Sequence, residues 1–217
     1  MKIQIITLFP DMFTAVLGTS MLWKASDRGI VEYELINLRE YGLGPRRQVD
    51  DTPYGGGDGM LLMVEPMVAA IEHAKSQDPG AKVLLPTPRG KAYRQSDAKR
   101  LARAGQDGQG IIVICPRYEG YDERVVQWID QQYCIGNYVL TGGELPAMII
   151  IDSVVRLLPG VLGGEASTEI ESFQADDVSI EFPQYTRPAV FRDQPVPEVL
   201  LNGHHAEIDT WRQNRQG

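Results

Sequence analysis

The chain has 217 residues, 43% of them hydrophobic and 23% charged, with a net charge of −8. That is the composition of an ordinary globular protein, long enough for one domain, or one domain with a small appendage, around a real core. No apolar run approaches the ~20 residues that cross a bilayer, Met1-Lys2-Ile3-Gln4 lacks the layout of a secretory signal, and Cys115 and Cys134 alone make neither a disulfide framework nor a four-cysteine metal site, so a cytoplasmic, reducing setting without membrane attachment is expected.

In chain order, residues 3–8 form the first short, β-branched apolar run, and residues 31–36, 83–85 and 111–114 repeat it. Each predicts a strand. Helical character falls between them, at 21–27, 65–75, 96–103 and 122–129, with Gly29 where the first helix would need a C-cap. This alternation predicts an α/β fold, a parallel sheet with helices on both faces. Ligands of such sheets bind beyond the carboxyl ends of the strands.

Residues 40–62 form a long connection with six glycines: Gly42, Gly44, Gly55, Gly56, Gly57 and Gly59. A connection of that length in a compact domain is functional or mobile. A second candidate loop, Cys115-Pro116-Arg117-Tyr118-Glu119-Gly120-Tyr121-Asp122-Glu123-Arg124, follows the strand at 111–114. A third runs Ile135-Gly136-Asn137-Tyr138-Val139-Leu140-Thr141-Gly142-Gly143-Glu144-Leu145-Pro146. Its paired glycines let the backbone turn sharply and approach a ligand. Pro146 falls where the buried helix begun by the apolar run 147–151 would start.

After Pro159-Gly160 the pattern lapses. Residues 165–182 hold six acids (Glu165, Glu169, Glu171, Asp176, Asp177, Glu181) and no base, whereas 1–164 carry 17 bases and 19 acids and 183–217 carry four of each. The acidity is therefore mostly one segment, and helical character returns at 197–215. The expected organisation is a domain over 1–160, an acidic linker over 161–185 and a small helical C-terminal segment over 186–217. Local basic clusters, Arg39, Arg46 and Arg47, and Arg89, Lys91, Arg94, Lys99, Arg100 and Arg103, suit nucleic-acid phosphates. They suit solvated helix and loop faces equally well.

The two loops above, with Ile5-Ile6-Thr7-Leu8-Phe9-Pro10-Asp11-Met12-Phe13 and Val49-Asp50-Asp51-Thr52-Pro53-Tyr54-Gly55-Gly56-Gly57-Asp58-Gly59-Met60, resemble bacterial tRNA (guanine-N1)-methyltransferases. The resemblance continues in order to His205-Ala206-Glu207-Ile208. It implies membership of the SPOUT class, with a deep trefoil knot at the C-terminal end of the sheet domain, a violation of ordinary connection rules that the pattern alone does not predict. It implies a methyl donor, S-adenosyl-L-methionine, held by three loops: Leu85, Pro86, Thr87 and Pro88; then Pro116, Tyr118 and Glu119; then Cys134, Ile135, Gly136, Asn137, Tyr138, Val139 and Leu140 with Gly142, Gly143 and Pro146. Ile135 and Leu140 also read simply as core residues.

The implied reaction is methylation of N1 of guanine 37 in tRNA. N1 carries a proton, and a carboxylate is the natural base to remove it. Glu171-Ser172-Phe173 stands where the family has an aspartate in the same context, so Glu171 is the implied base, although it also reads as one more solvated acid. Arg156 matches a second essential residue, suited to charge on guanine O6, or else to a structural ion pair. Asp50, Tyr54, Gly55, Asp58 and Gly59 match the surroundings of the target guanine. Pro116 replaces the family's usual glycine and removes an N–H. Asn137 replaces an aspartate and removes a charge.

By resemblance the partners are tRNA and a second copy, in a homodimer whose active site is shared between subunits. Mg2+ is a possible cofactor with no ligand set in the sequence. Family members usually continue beyond residue 217 with further basic helices, so a shortened C-terminal domain and weak tRNA binding are expected. Two other readings stay open: a non-catalytic module that binds S-adenosylmethionine or RNA, and a related knotted methyltransferase of ribosomal RNA.

Overall fold

The structure is a computed structural model that describes residues 1–163, 171–173 and 176–215. The chain divides into two compact units, Met1–Gly163 and Gly164–Gly217. The expected linker, 161–185, runs across that boundary.

The first unit is built on a five-stranded sheet in the order β2-β1-β6-β5-β7, with β1 Lys2–Thr7, β2 Glu32–Asn37, β5 Lys82–Ala92, β6 Ile111–Ile114 and β7 Gln131–Cys134. Every pairing in it is parallel. A short antiparallel pair, β3 Asp50–Asp51 and β4 Leu61–Leu62, brackets the glycine-rich stretch. The helices are α1 Asp11–Leu17, α2 Ser20–Asp27, α3 Val64–Gln77, α4 Gln95–Gln106 and α5 Glu144–Val155.

Successive strand side chains point to opposite faces, and here both faces are apolar. Ile3, Ile5, Leu84, Ile111 and Val113 join one core with α1, α2, α4 and α5. Ile6, Val83, Leu85, Ile112 and Ile114 join a second core with α3. That double burial is why the strands read as continuous apolar runs rather than alternating ones.

The helical character read at 122–129 is a 3-10 helix, Glu123–Trp128, with the Asp122 side chain accepting from the Arg124 N–H. Other details depart from the sequence reading. Edge strand β7 was not predicted, because Gln131-Gln132 carries no apolar signal. Helix α1 was not predicted either; it has only seven residues, too few to show a period. Helix α5 begins at Glu144, two residues before Pro146.

In the second unit, β8 Val190–Phe191 and β9 Gln194–Pro195 make a hairpin, and α6 spans His205–Gln213 within the stretch read as helical. Among the described residues no helix is long and apolar enough to cross a membrane.

Candidate functional site

The carboxyl ends of β5, β6 and β7 open onto one cavity of about 550 Å³, well within the range that holds a nucleoside-sized ligand. Three segments wall it, and each is held by a distinct local device.

The first is an excursion inside β5. Pro86 and Lys91 both register with Tyr133 of β7, so the residues between them are pushed out over the cavity. Lys91 at the foot of this excursion is clamped to α4. Its Nζ lies 2.8 Å from Asp97, which also takes Arg100 at 2.9 Å, and Arg100 in turn donates to the Tyr133 hydroxyl at 2.6 Å. Burial pushes the Asp97 carboxyl up, but the bonds from Lys91 and Arg100 outweigh it and hold the group below its ordinary range.

The second segment follows β6. Tyr118 adopts a positive φ of 61°, which turns the chain back toward β4, where the Leu62 N–H donates to the Gly120 carbonyl at 2.9 Å. Burial first, and the Asp50 carboxylate next, raise the Tyr118 phenol, with Arg39 opposing. Asp50 and Arg39 therefore stand against this loop.

The third segment follows β7 and crosses the second at Gly143. The Gly143 N–H donates to the Pro116 carbonyl at 2.7 Å, and a Cβ on Gly143 would run into the Pro116 ring and Cys115. Only glycine lets the two backbones come this close. Pro116 thus lacks an amide to offer a ligand and spends its carbonyl on Gly143.

One residue on, the carboxylate of Glu144 is 1% exposed. It pairs with Arg117 at 2.8 Å and accepts from Thr7 at 3.0 Å, so it ties both loops to the end of β1. Arg117 also stacks on Phe9 and donates to the Thr141 carbonyl. Burial, with the nearby Glu144 charge, pushes the Cys115 thiol well up and keeps it a neutral core group.

The cavity brings together Pro86, Thr87 and Pro88; Pro116, Tyr118 and Glu119; and Cys134, Ile135, Gly136, Tyr138, Val139, Leu140, Gly142, Gly143 and Pro146. Neither Ile135 nor Leu140 belongs to a core cluster. Leu85 is fully buried in the second core and Asn137 is exposed; neither lines the cavity. Arg89, Arg117 and Glu123 also line it and were within reach of the motifs, as flanking residues. Tyr133 and Leu61 carried no signal, because β7 and β4 were not predicted.

Asp50, Tyr54, Gly55, Asp58 and Gly59 are outside the cavity lining. Asp50 lies in β3 and the others in the loop between β3 and β4, with Tyr54 fully exposed. Arg156 caps the C-terminus of α5, whereas Gly143 and Pro146 at the opposite end of that helix reach the cavity. Glu171 lies in the second unit, half-buried, beside Ser172, whose Oγ accepts from the Glu181 N–H at 3.1 Å. Among the described residues no group of three or more His, Cys, Asp or Glu side chains could hold a metal ion.

The family model for tRNA (guanine-1)-methyltransferase TrmD matches residues 1–217 of the chain. The chain belongs to this family. A tRNA (guanine-N(1)-)-methyltransferase of Geobacter sulfurreducens is 49% identical over 216 residues, 99% of this chain and 86% of that one. Its counterpart in Geobacillus kaustophilus is 49% identical over 214 residues, 98% and 85% of the two chains. Among solved structures, a tRNA (m1G37) methyltransferase from Aquifex aeolicus matches with a TM-score of 0.80 and 35% identity, over 99% of this chain and 90% of that one. The likeness to the family takes in the three loops and the second unit's sequence alike, not the sheet alone.

Proposed function

We propose that the chain transfers a methyl group from S-adenosylmethionine to N1 of guanine 37 in tRNA, just 3′ of the anticodon. The observation that carries this reading is the convergence of three loops, each bearing a family motif, on one cavity. Its chemistry suits the donor. Pro86, Pro88, Ile135 and Leu140 give apolar surface for an adenine ring, and the Glu119 carboxylate suits the ammonium of the donor's amino-acid end. Bound there, S-adenosylmethionine supplies an electrophilic methyl group.

The chain's own groups do the rest. Guanine N1 is a poor nucleophile while protonated, and Glu171 accepts that proton as general base. The planar fork of Arg156 stabilises the charge that then develops on O6. Asp50 and the loop from Tyr54 to Gly59 receive the guanine, which must leave the anticodon-loop stack.

Helix α5 has 12 residues, so Arg156 lies about 18 Å along it from the cavity end. That separation supports a homodimer in which the cavity of one subunit meets Arg156 and Glu171 of the other. Two i, i+4 apolar pairs on neighbouring helices support it too: Met12 and Val16 on α1 and Leu145 and Ile149 on α5 are all exposed. Large exposed apolar faces mark association surfaces. The Gly143–Pro116 crossing and the family resemblance support a deep trefoil knot at this end of the sheet. Magnesium, which the resemblance also brings in, has no residue assigned.

The test is incubation with labelled S-adenosylmethionine and unmodified tRNA carrying guanine at 36 and 37, followed by mapping of the label. Methyl on N1 of guanine 37 is expected. Donor binding without transfer would support a binding module instead, and label on ribosomal RNA would support the related knotted enzymes.

A further inference from the structure

The loop between β3 and β4 carries four glycines in the left-handed region: Gly55 at φ 88°, Gly56 at 81°, Gly57 at 126° and Gly59 at 82°. Gly56 and Gly59 have nearly the same φ and opposite surroundings. Around Gly56 there is open space, whereas a Cβ on Gly59 would lie 2.5 Å from Cγ and 3.1 Å from Oε1 of Glu119. The Cγ is near the root of that side chain, so it cannot yield without moving the carboxylate. The backbone repeats the contact, since the Glu119 N–H donates to the Met60 carbonyl at 3.0 Å.

The following residues are stitched on as well. Leu62 donates to the Gly120 carbonyl and accepts from the Asp122 N–H, both at 2.9 Å, and it bridges Tyr121. The C-terminal end of the glycine loop is thus fastened along the same segment, 119–122, that walls the cavity with Glu119, Gly120 and Tyr121. Its tip carries Tyr54, which is fully exposed.

We infer that Gly59 is a positioning residue that couples the two halves of the site through Glu119. This rests on the reading of the cavity as the methyl-donor site. A donor that fixes the Glu119 carboxylate fixes the backbone packed against it, and so orders the loop that meets the guanine. The coupling runs equally in the other direction, as any linkage of two binding events must. Glycine is required at 59 for two separable reasons, its φ and its lack of a Cβ against Glu119; at 56 only the first applies.

The experiment has two arms. In the first, amide hydrogen exchange of residues 52–62 is followed in the wild-type protein with and without S-adenosylmethionine, whose binding is measured by calorimetry in the same sample. Slower exchange in the loop is expected. In the second, Gly59→Ala, Gly56→Ala, Glu119→Ala and the Gly59→Ala/Glu119→Ala pair are titrated with the donor. Gly59→Ala should weaken donor binding roughly tenfold, in proportion to the displacement it forces, while Gly56→Ala, whose Cβ meets open space, should shift it less. In the Glu119→Ala background, Gly59→Ala should shift donor binding no more than Gly56→Ala does, because the side chain it strikes is gone and only the φ requirement remains.

Unchanged loop exchange on donor binding, or equal shifts for the two glycine variants, would overturn the coupling while leaving the cavity reading intact. If the wild type fails to bind the donor at all, the cavity reading falls and this inference with it. The exchange arm needs no variant, so unchanged exchange overturns the coupling even if Gly59→Ala does not fold.

Discussion

All the buried hydrophobic side chains described fall within Met1–Gly163, whereas no described residue of Gly164–Gly217 is buried. The first unit holds its cavity with two packed cores, a buried ion pair and backbones in direct contact at Gly143 and Pro116. The second is organised by surface contacts. Arg212 stacks on Phe182 at 5.0 Å, Tyr185 meets Trp211 at 6.2 Å, and Phe173 donates its N–H to the Ser179 carbonyl. On the proposed reading the cavity is preformed within the first unit, and Glu171 belongs to the second. Donor binding should follow the first unit and turnover should need the second.

The sharpest way to break this contrast is Glu171→Gln. It should lower the single-turnover rate of methyl transfer by about 10²–10⁴-fold, the range of a positioned general base, with donor affinity unchanged. Loss of donor binding in the same variant would mean that the regions are not separable. Glu171→Asp restores the aspartate of the family resemblance and should turn over at least as fast as the wild type, with a gain of up to the about 10²-fold that an ångström of placement is worth.

Next in size is Glu144→Ala. Removing one partner of a buried ion pair strands the other, here Arg117, and costs about 3 kcal/mol, measurable by urea unfolding. Donor affinity should fall with stability, because Glu144 ties the second and third loops to Thr7. A stability loss without any change in donor affinity would show that the cavity does not depend on this tie.

The strands β1 and β6 were legible because burial on both faces leaves a near-continuous apolar run, and the three loops because glycine and proline punctuate them. Arg117 and Glu144 were readable as loop residues, but not as a buried pair with Thr7, which stands 137 positions from Glu144. Nothing local in a sequence reports a contact of that separation. Strand β7 was hidden for the opposite reason. Gln131 and Gln132 lie at a sheet edge and are only half-buried, so their types carry no strand signal, although Tyr133 between β5 and α4 fixes one wall of the cavity. The excursion inside β5 was likewise unreadable, since a register in which Pro86 and Lys91 share one partner exists only once β7 is in place.

The smallest effects compare like with like, one carboxylate from each unit. Asp97 in α4 is 9% exposed and bonds Lys91 and Arg100, whereas Asp209 in α6 is 65% exposed and meets Arg212 at 3.6 Å. Asp97→Asn should cost about 1 kcal/mol, discounted because both of its cationic partners are half in water. Asp209→Asn should stay within about 0.5 kcal/mol. The Asp97 effect also carries a pH signature. Its folded-state pKa is depressed below the ordinary 3.8, the bonds from Lys91 and Arg100 outweighing its burial. Its contribution is therefore fully present above pH 3.8 and is lost as pH falls through the lower folded-state value. Unfolding of the wild type and of Asp97→Asn should differ by a constant amount near neutrality and converge in acid. Asp97 also accepts from the Arg94 N–H at 3.3 Å at the start of α4, and a gap that persists below both values would mean that it acts through that cap rather than through its charge.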